Sequence, residues 1–154
     1  MTVILSIDPS SNKATKSNTG IVLIKNGKLL DHWCLPFGVE GFRNWYEKEF
    51  DKIECDKVIF EHFEARDNSK AKDNSVLETI AEIQKLIPYA EPFRNGGYKS
   101  DVPDSLLKEL GLWKFGKSHH ADVRAAARLC IFYAMRNDIE DFVTGIGELL
   151  SEKF

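Results

Sequence analysis

Apolar residues in this chain fall into short blocks, and their spacing predicts an alternation of strands and helices. Residues 2–7 form a β-rich apolar run that stops at Asp8. Residues 9–19 carry Pro9, three serines and two asparagines and read as a loop. Residues 20–24 predict a second strand. Asn26-Gly27 is a two-residue hairpin signal, and residues 29–35 predict a third, antiparallel strand. Phe42, Trp45, Tyr46 and Phe50 recur at helical spacing and predict a helix over 39–53. A short apolar strand over 57–60 ends at Glu61, and the charged segment 62–74 reads as an exposed loop. Val76, Ile80, Ile83 and Ile87 make one stripe of a helix over 75–87, which Pro88 stops. A fifth strand is expected over 89–93, broken by Asn95-Gly96-Gly97, and a short helix over 103–110. Ser118 is a suitable N-cap for an alanine-rich helix from about 119 to 136. Ile139, Phe142, Val143, Ile146, Leu149 and Leu150 predict a final amphipathic helix.

This order predicts an α/β protein: three hairpin-linked strands, then crossovers, giving a mixed sheet with helices on its faces. No repeat, low-complexity tract or linker divides the 154 residues, so one domain over 1–154 is expected. Hydrophobic residues make up 43% and charged residues 29%, an ordinary globular balance. No apolar run approaches the ~18 residues that a membrane span needs. The N-terminal strand has no basic flank or cleavage site and does not read as a signal peptide. Cys34, Cys55 and Cys130 are odd in number and show no C-x-x-C spacing, which fits reduced thiols in a cytoplasmic protein. The net charge of -3 weighs mildly against a nucleic-acid partner. Carboxylates gathered around cations would account for that sign while leaving a local basic surface free for an anion.

The candidate chemistry lies at the ends of elements. Asp8 ends the first strand and Glu61 the fourth, while His119 and Asp122 stand three apart at the start of a helix and share a face. Taken singly, each has an ordinary explanation as a loop cap or a favourable first-turn charge. Taken together, neighbouring first and fourth strands would set Asp8 and Glu61 side by side, facing the helical pair. Such a cluster repels itself without a cation. Mg²⁺ takes oxygen ligands, and two such ions about 4 Å apart can clamp both oxygens of a phosphodiester displacement.

Ile4-Leu5-Ser6-Ile7-Asp8-Pro9-Ser10-Ser11, with Thr19-Gly20 opening the next strand, resembles the first motif of the RuvC Holliday-junction resolvases, a family of the RNase H-like superfamily. Val58-Ile59-Phe60-Glu61 resembles their second motif. Ser118-His119-His120-Ala121-Asp122, followed by Ala125-Ala126-Ala127, resembles the last. The likeness spans roughly residues 2–134. It implies an RNase H-like mixed five-stranded sheet of order 3-2-1-4-5 flanked by helices. It also implies two Mg²⁺ ions, for which Mn²⁺ substitutes, held by Asp8, Glu61, His119 and Asp122. The implied activity is endonucleolytic cutting of branched DNA, a four-way junction or a fork, by a homodimer. Loop 9–19 is longer than the family's turn and the chain is shorter than cellular members. This form looks like a phage or viral version, acting in the host cytoplasm.

Phe63, two residues past Glu61, resembles an aromatic that stacks on an unpaired base near a junction centre; a ring folded back on the sheet is the competing expectation. Arg66, Lys70 and Lys72 in the same loop, and Arg94, Lys99 and Lys114 in the later polar stretch, are candidate phosphate contacts. Lys117, adjoining the catalytic helix, is the candidate for the scissile phosphate. His119 is preferred to His120 for the metal site, because residues two apart do not share a helix face. Leu77 and Leu86 lie outside the main stripe of helix 75–87, which is expected to form part of the dimer interface; a helix wholly buried within one domain is the competing expectation.

Two other classes compete. Residues 111–118, Gly-Leu-Trp-Lys-Phe-Gly-Lys-Ser, match the P-loop pattern G-x-x-x-x-G-K-[ST] of nucleotide phosphotransferases. A helix and not a strand is expected before them, and Trp113 and Phe115 are bulky for a phosphate cradle. A non-catalytic RNase H-like DNA-binding protein is the third reading, against which the intact acidic set argues. An actin-like ATPase shares the opening strand and Thr-Gly hairpin but needs two such domains.

Overall fold

A computed structural model describes residues 1–11, 18–63, 75–115 and 120–152, and of His120 only the backbone. Among these, β1 (Val3–Asp8), β2 (Thr19–Lys25), β3 (Lys28–Leu35), β4 (Lys57–Glu61) and β5 (Glu91–Phe93) form one sheet of order β3-β2-β1-β4-β5. The first three strands are antiparallel neighbours, and β4 and β5 run parallel to β1. The mixed sheet anticipated from the sequence is therefore present in the expected order.

Alternation along the central strands divides the core into two layers. Ile4, Val22, Ile24 and Ile59 point to one face, where they pack with α5 (His120–Arg136), α6 (Glu140–Ser151) and the short α4 (Asp104–Glu109). Leu5, Ile7, Ile21, Leu23, Val58 and Phe60 point to the other, against α1 (Gly38–Glu49) and α2 (Val76–Leu86). Helix α3 (Tyr98–Asp101) was not anticipated; it is a single turn, too short for periodicity to reveal.

The local chemistry explains the joints. Asn26 (φ 50°) and Gly27 (φ 90°) both occupy the left-handed region that a type I′ hairpin turn requires. Ala126 and Ala127 are fully buried and small, so α5 lies close on the sheet. The Ser6 hydroxyl donates to the Ala126 carbonyl at 2.7 Å, locking β1 to that helix. Beyond α5, the segment 98–115 crosses its outer side. Arg128 donates to the Val102 carbonyl and pairs with Asp104, and Arg124 donates to the Trp113 carbonyl at 2.5 Å. Helix α5 is thus covered on both sides, which accounts for its wholly buried stretch from Ala126 to Ala134.

Helix α2 departs from the single stripe expected. Thr79 and Glu82 are buried with Ile80 and Ile83, because α2 packs on α1 as well as on the sheet. Glu82 is tolerated there by two hydrogen bonds from Arg43 of α1, at 2.9 and 2.6 Å. Leu77 and Leu86 are half-buried against the chain's own core and leave less free apolar surface than their place outside the stripe suggested.

Candidate active site

The site is built where β1 and β4 end. Ile7 pairs with Phe60 in the parallel register, so Asp8 and Glu61 each stand one residue further on, side by side. By alternation both follow Ile4, Ser6 and Ile59 on the α5 face of the sheet. Their carboxyl groups hydrogen-bond each other. Desolvation comes first, then Glu61, by its hydrogen bond and its charge, and then the charge of Asp122; together they hold the Asp8 carboxyl well above the usual carboxylate range. Burial and neighbouring negative charge both disfavour the ionised form of a carboxyl group.

Asp122 reaches this edge through a close backbone contact. Gly20 is the register partner of Asp8 across the β1–β2 hairpin. A Cβ on Gly20 would stand 2.1 Å from the Asp122 carbonyl oxygen and 2.8 Å from the Val123 nitrogen. Only a glycine lets the first turn of α5 rest on β2 at this point. Cys34 pairs with Gly20 from the other side. Burial and then the Asp122 charge push its thiol up to about 11, so it stays protonated at neutral pH. Among the described residues no three His, Cys, Asp or Glu side chains close around one point. Asp8 and Glu61 meet, and Asp122 stands at electrostatic range.

The long first loop is closed at its base. The Ser10 amide donates to the Thr19 hydroxyl at 3.1 Å, and the two hydroxyls lie 2.9 Å apart, all buried. Ser11 and Ser75 hydroxyls lie 2.6 Å apart and tie this base to the start of α2. The extra residues of the loop therefore leave the Asp8–Gly20 pairing intact.

Two neighbours of the acidic pair carried no signal in the sequence. The Asn95 side-chain amide donates a hydrogen bond to Glu61 Oε1. Tyr98 stands near them, and its phenol is raised by burial and then by the charges of Glu61 and Asp8. The run Asn95-Gly96-Gly97 reads in sequence only as a strand breaker.

Of the other expected residues, Arg94, Lys99 and Lys114 are exposed. Phe63 is half-buried and packs against the layer containing Ile7 and Phe60, the placement expected of a ring folded back on the sheet. Arg66, Lys70, Lys72, Lys117, Ser118 and His119 lie outside the described residues, as does the side chain of His120. The P-loop reading does not gain support: α4, a helix, precedes residue 111 where a strand is required. Leu112 and Phe115 are buried in the core. Trp113 lies against Arg124, 3.7 Å from its ring centre, and Lys108, 4.7 Å away.

Sheet order, the helices on both faces and the strand-end acidic pair define the RNase H-like fold class. Within it, the chain is similar to Thermus thermophilus RuvC. The structure of T. thermophilus RuvC in complex with Holliday junction substrate superposes with a TM-score of 0.63 and 11% identity, over 92% of this chain and 98% of that one. A second T. thermophilus RuvC structure gives a TM-score of 0.57 and 15% identity, over 88% and 96%. No protein-family model matches the chain, and no curated protein matches it significantly.

Proposed function

We propose that this chain is a divalent-metal-dependent endonuclease that hydrolyses phosphodiester bonds in branched DNA, in the manner of a Holliday-junction resolvase. The observation that carries this reading is the meeting of Asp8 and Glu61 at the ends of adjacent parallel strands, with Asp122 delivered to the same edge by α5. The likeness to a RuvC solved with a Holliday junction supports the choice of substrate.

Asp8, Glu61 and Asp122 supply oxygen donors and excess negative charge, which suits hard cations such as Mg²⁺ or Mn²⁺. Two bound ions would activate the attacking water and stabilise the leaving oxygen. The chain's own part is to hold Asp8 and Glu61 in contact, to place Asp122 through the Gly20 contact, and to keep the edge open to a phosphodiester. His119 serves as a further ligand or takes the proton of the attacking water. Lys117, at the entry to α5, contacts the scissile phosphate. Exposed Arg94, Lys99 and Lys114, with Arg66, Lys70 and Lys72, follow the DNA backbone. Two opposed strands are cut by a homodimer with two-fold symmetry.

The test is a substrate panel: labelled four-way junction, fork, linear duplex and RNA–DNA hybrid, each with and without Mg²⁺. Cleavage of the junction that requires Mg²⁺ and exceeds cleavage of linear duplex is expected. Preferential cutting of the hybrid would move the activity to a ribonuclease. Inactivity on every substrate in both Mg²⁺ and Mn²⁺ would favour the non-catalytic DNA-binding reading.

A further inference from the structure

Glu61 is the member of the acidic pair with freedom to misplace itself. Its side chain has one more rotatable bond than that of Asp8, and it starts from the last residue of a strand. A carboxylate that must share a cation with its neighbour gains if one of its oxygens is already fixed by a donor. The structure provides such a donor in Asn95.

Asn95 is held by the chain on both sides. Upstream, Phe93 pairs with Glu61 in the parallel β4–β5 register, and the His62 amide donates to the Phe93 carbonyl at 2.9 Å. Downstream, the Tyr98 amide donates to the Asn95 carbonyl at 3.0 Å, closing a four-residue turn. Gly97, the third residue of that turn, has φ 82° and ψ 0°, the values a type II turn demands at this position. A side chain at residue 97 would strain that conformation. The Tyr98 ring packs against Phe132 and the buried cluster around it, which seats the far end of the turn in the core. From this anchored turn the Asn95 amide reaches Glu61 Oε1.

We propose that Asn95 is a positioning residue for the acidic centre. Its amide fixes one oxygen of Glu61 and leaves the other to act with Asp8 on a divalent cation. The neutral amide matters. A lysine or arginine at 95 would also hold Glu61, but as an ion pair that cancels the charge a cation needs. An amide supplies the hydrogen bond and leaves the negative charge intact. The turn Asn95-Gly96-Gly97-Tyr98 thereby becomes part of the site's architecture.

This inference rests on the reading of Asp8 and Glu61 as a metal centre, and the experiment separates the two. Mn²⁺ binding is measured by calorimetry, without DNA, for the wild type, Asp8→Asn, Asn95→Ala and Gly97→Ala, with thermal melts of each. Wild-type binding that is lost in Asp8→Asn supports the metal centre. On that background Asn95→Ala should weaken Mn²⁺ about 10–100-fold, the usual effect of removing a group that orients a ligand. Its metal-free melting temperature should stay close to wild type, since a merely structural residue would lower it. Gly97→Ala, which displaces the turn while keeping the amide, should weaken Mn²⁺ in the same direction. Asn95→Ala binding Mn²⁺ within about twofold of wild type would overturn the positioning role while leaving the metal centre standing. Weakened binding that merely tracks a large loss of melting temperature would overturn it as well. Absence of Mn²⁺ binding in the wild type would remove the metal centre itself.

Discussion

At the scale of single residues, the site is a problem of crowded charge solved by close contacts. Asp8 is held well above the usual carboxylate range by desolvation, by Glu61 and by Asp122. An aspartate whose folded pKa is raised above its unfolded value costs stability above the folded pKa; the cost vanishes as pH falls below the unfolded one. In metal-free protein, Asp8→Asn should therefore melt higher than wild type at neutral pH, with the gap closing in acid. Added Mg²⁺ or Mn²⁺ should raise the wild-type melting temperature and leave that of Asp8→Asn nearly unmoved. A variant that melts with or below wild type at neutral pH would mean that the carboxyl is not strained. Gly20 makes the second contact. Gly20→Ala forces a Cβ within 2.1 Å of the Asp122 carbonyl oxygen, and only backbone movement relieves it. The expected cost is about 1–3 kcal/mol, or about 2–4 °C in melting temperature per kcal/mol, together with loss of metal binding as Asp122 shifts. Wild-type stability and wild-type Mn²⁺ affinity in Gly20→Ala would show that α5 does not depend on this contact.

At the scale of elements, the strands were legible because each carries its own signal. The β1 run ending in Asp8, the Asn26-Gly27 turn and the 57–60 run ending in Glu61 need nothing from distant residues to be read. Asp8 and Glu61 were legible as strand-end neighbours for the same reason, as charges placed directly after apolar runs. What stayed hidden depends on long-range packing. Asn95 and Tyr98 sit on a turn after a strand of three residues, and only the parallel β4–β5 register brings them to Glu61. Gly20 reads as an ordinary strand glycine until α5 is laid across it. Glu82 lies on a helix face that periodicity alone would assign to solvent, yet it is only 6% exposed because Arg43 of α1 covers it. Removing that cover tests the α1–α2 joint. Arg43→Ala should cost about 1–3 kcal/mol in urea denaturation, the penalty for a buried charged acceptor left short of partners. The low end is expected, because Arg43 is itself half-exposed and Lys85 remains 3.9 Å from Glu82. Replacing both members, as Arg43→Met with Glu82→Leu, should recover most of the loss. A single variant as stable as wild type would show that water serves Glu82 as well as Arg43 does.

At the scale of the whole molecule, the chain keeps the acidic edge at one end of a sheet covered on both faces, with a net charge of only -3. The proposed DNA binding would then rest on local cations, and its affinity should fall steeply with added salt. Paired cuts across a junction call for two copies. Sedimentation with a four-way junction should show a dimer, and a monomer both free and bound would refute that assembly. Leu77 and Leu86 offer only the parts of their side chains that the core leaves uncovered, so α2 is expected to contribute a modest share of the proposed dimer's interface. The P-loop pattern at 111–118 makes a separate demand: the protein should not bind ATP with micromolar affinity, whereas Lys117→Ala should slow DNA cleavage. Micromolar ATP binding abolished by Lys117→Ala would restore the phosphotransferase reading. The most direct test of the central claim is the single-turnover cleavage rate of a labelled four-way junction at saturating Mg²⁺, compared between wild type and Asp8→Asn, with junction affinity measured in parallel. The rate should fall by at least about 100-fold in the variant, because metal affinity and geometry both suffer. Binding should survive, because phosphate contacts hold the DNA independently. An Asp8→Asn variant that cuts the junction at the wild-type rate would contradict the account.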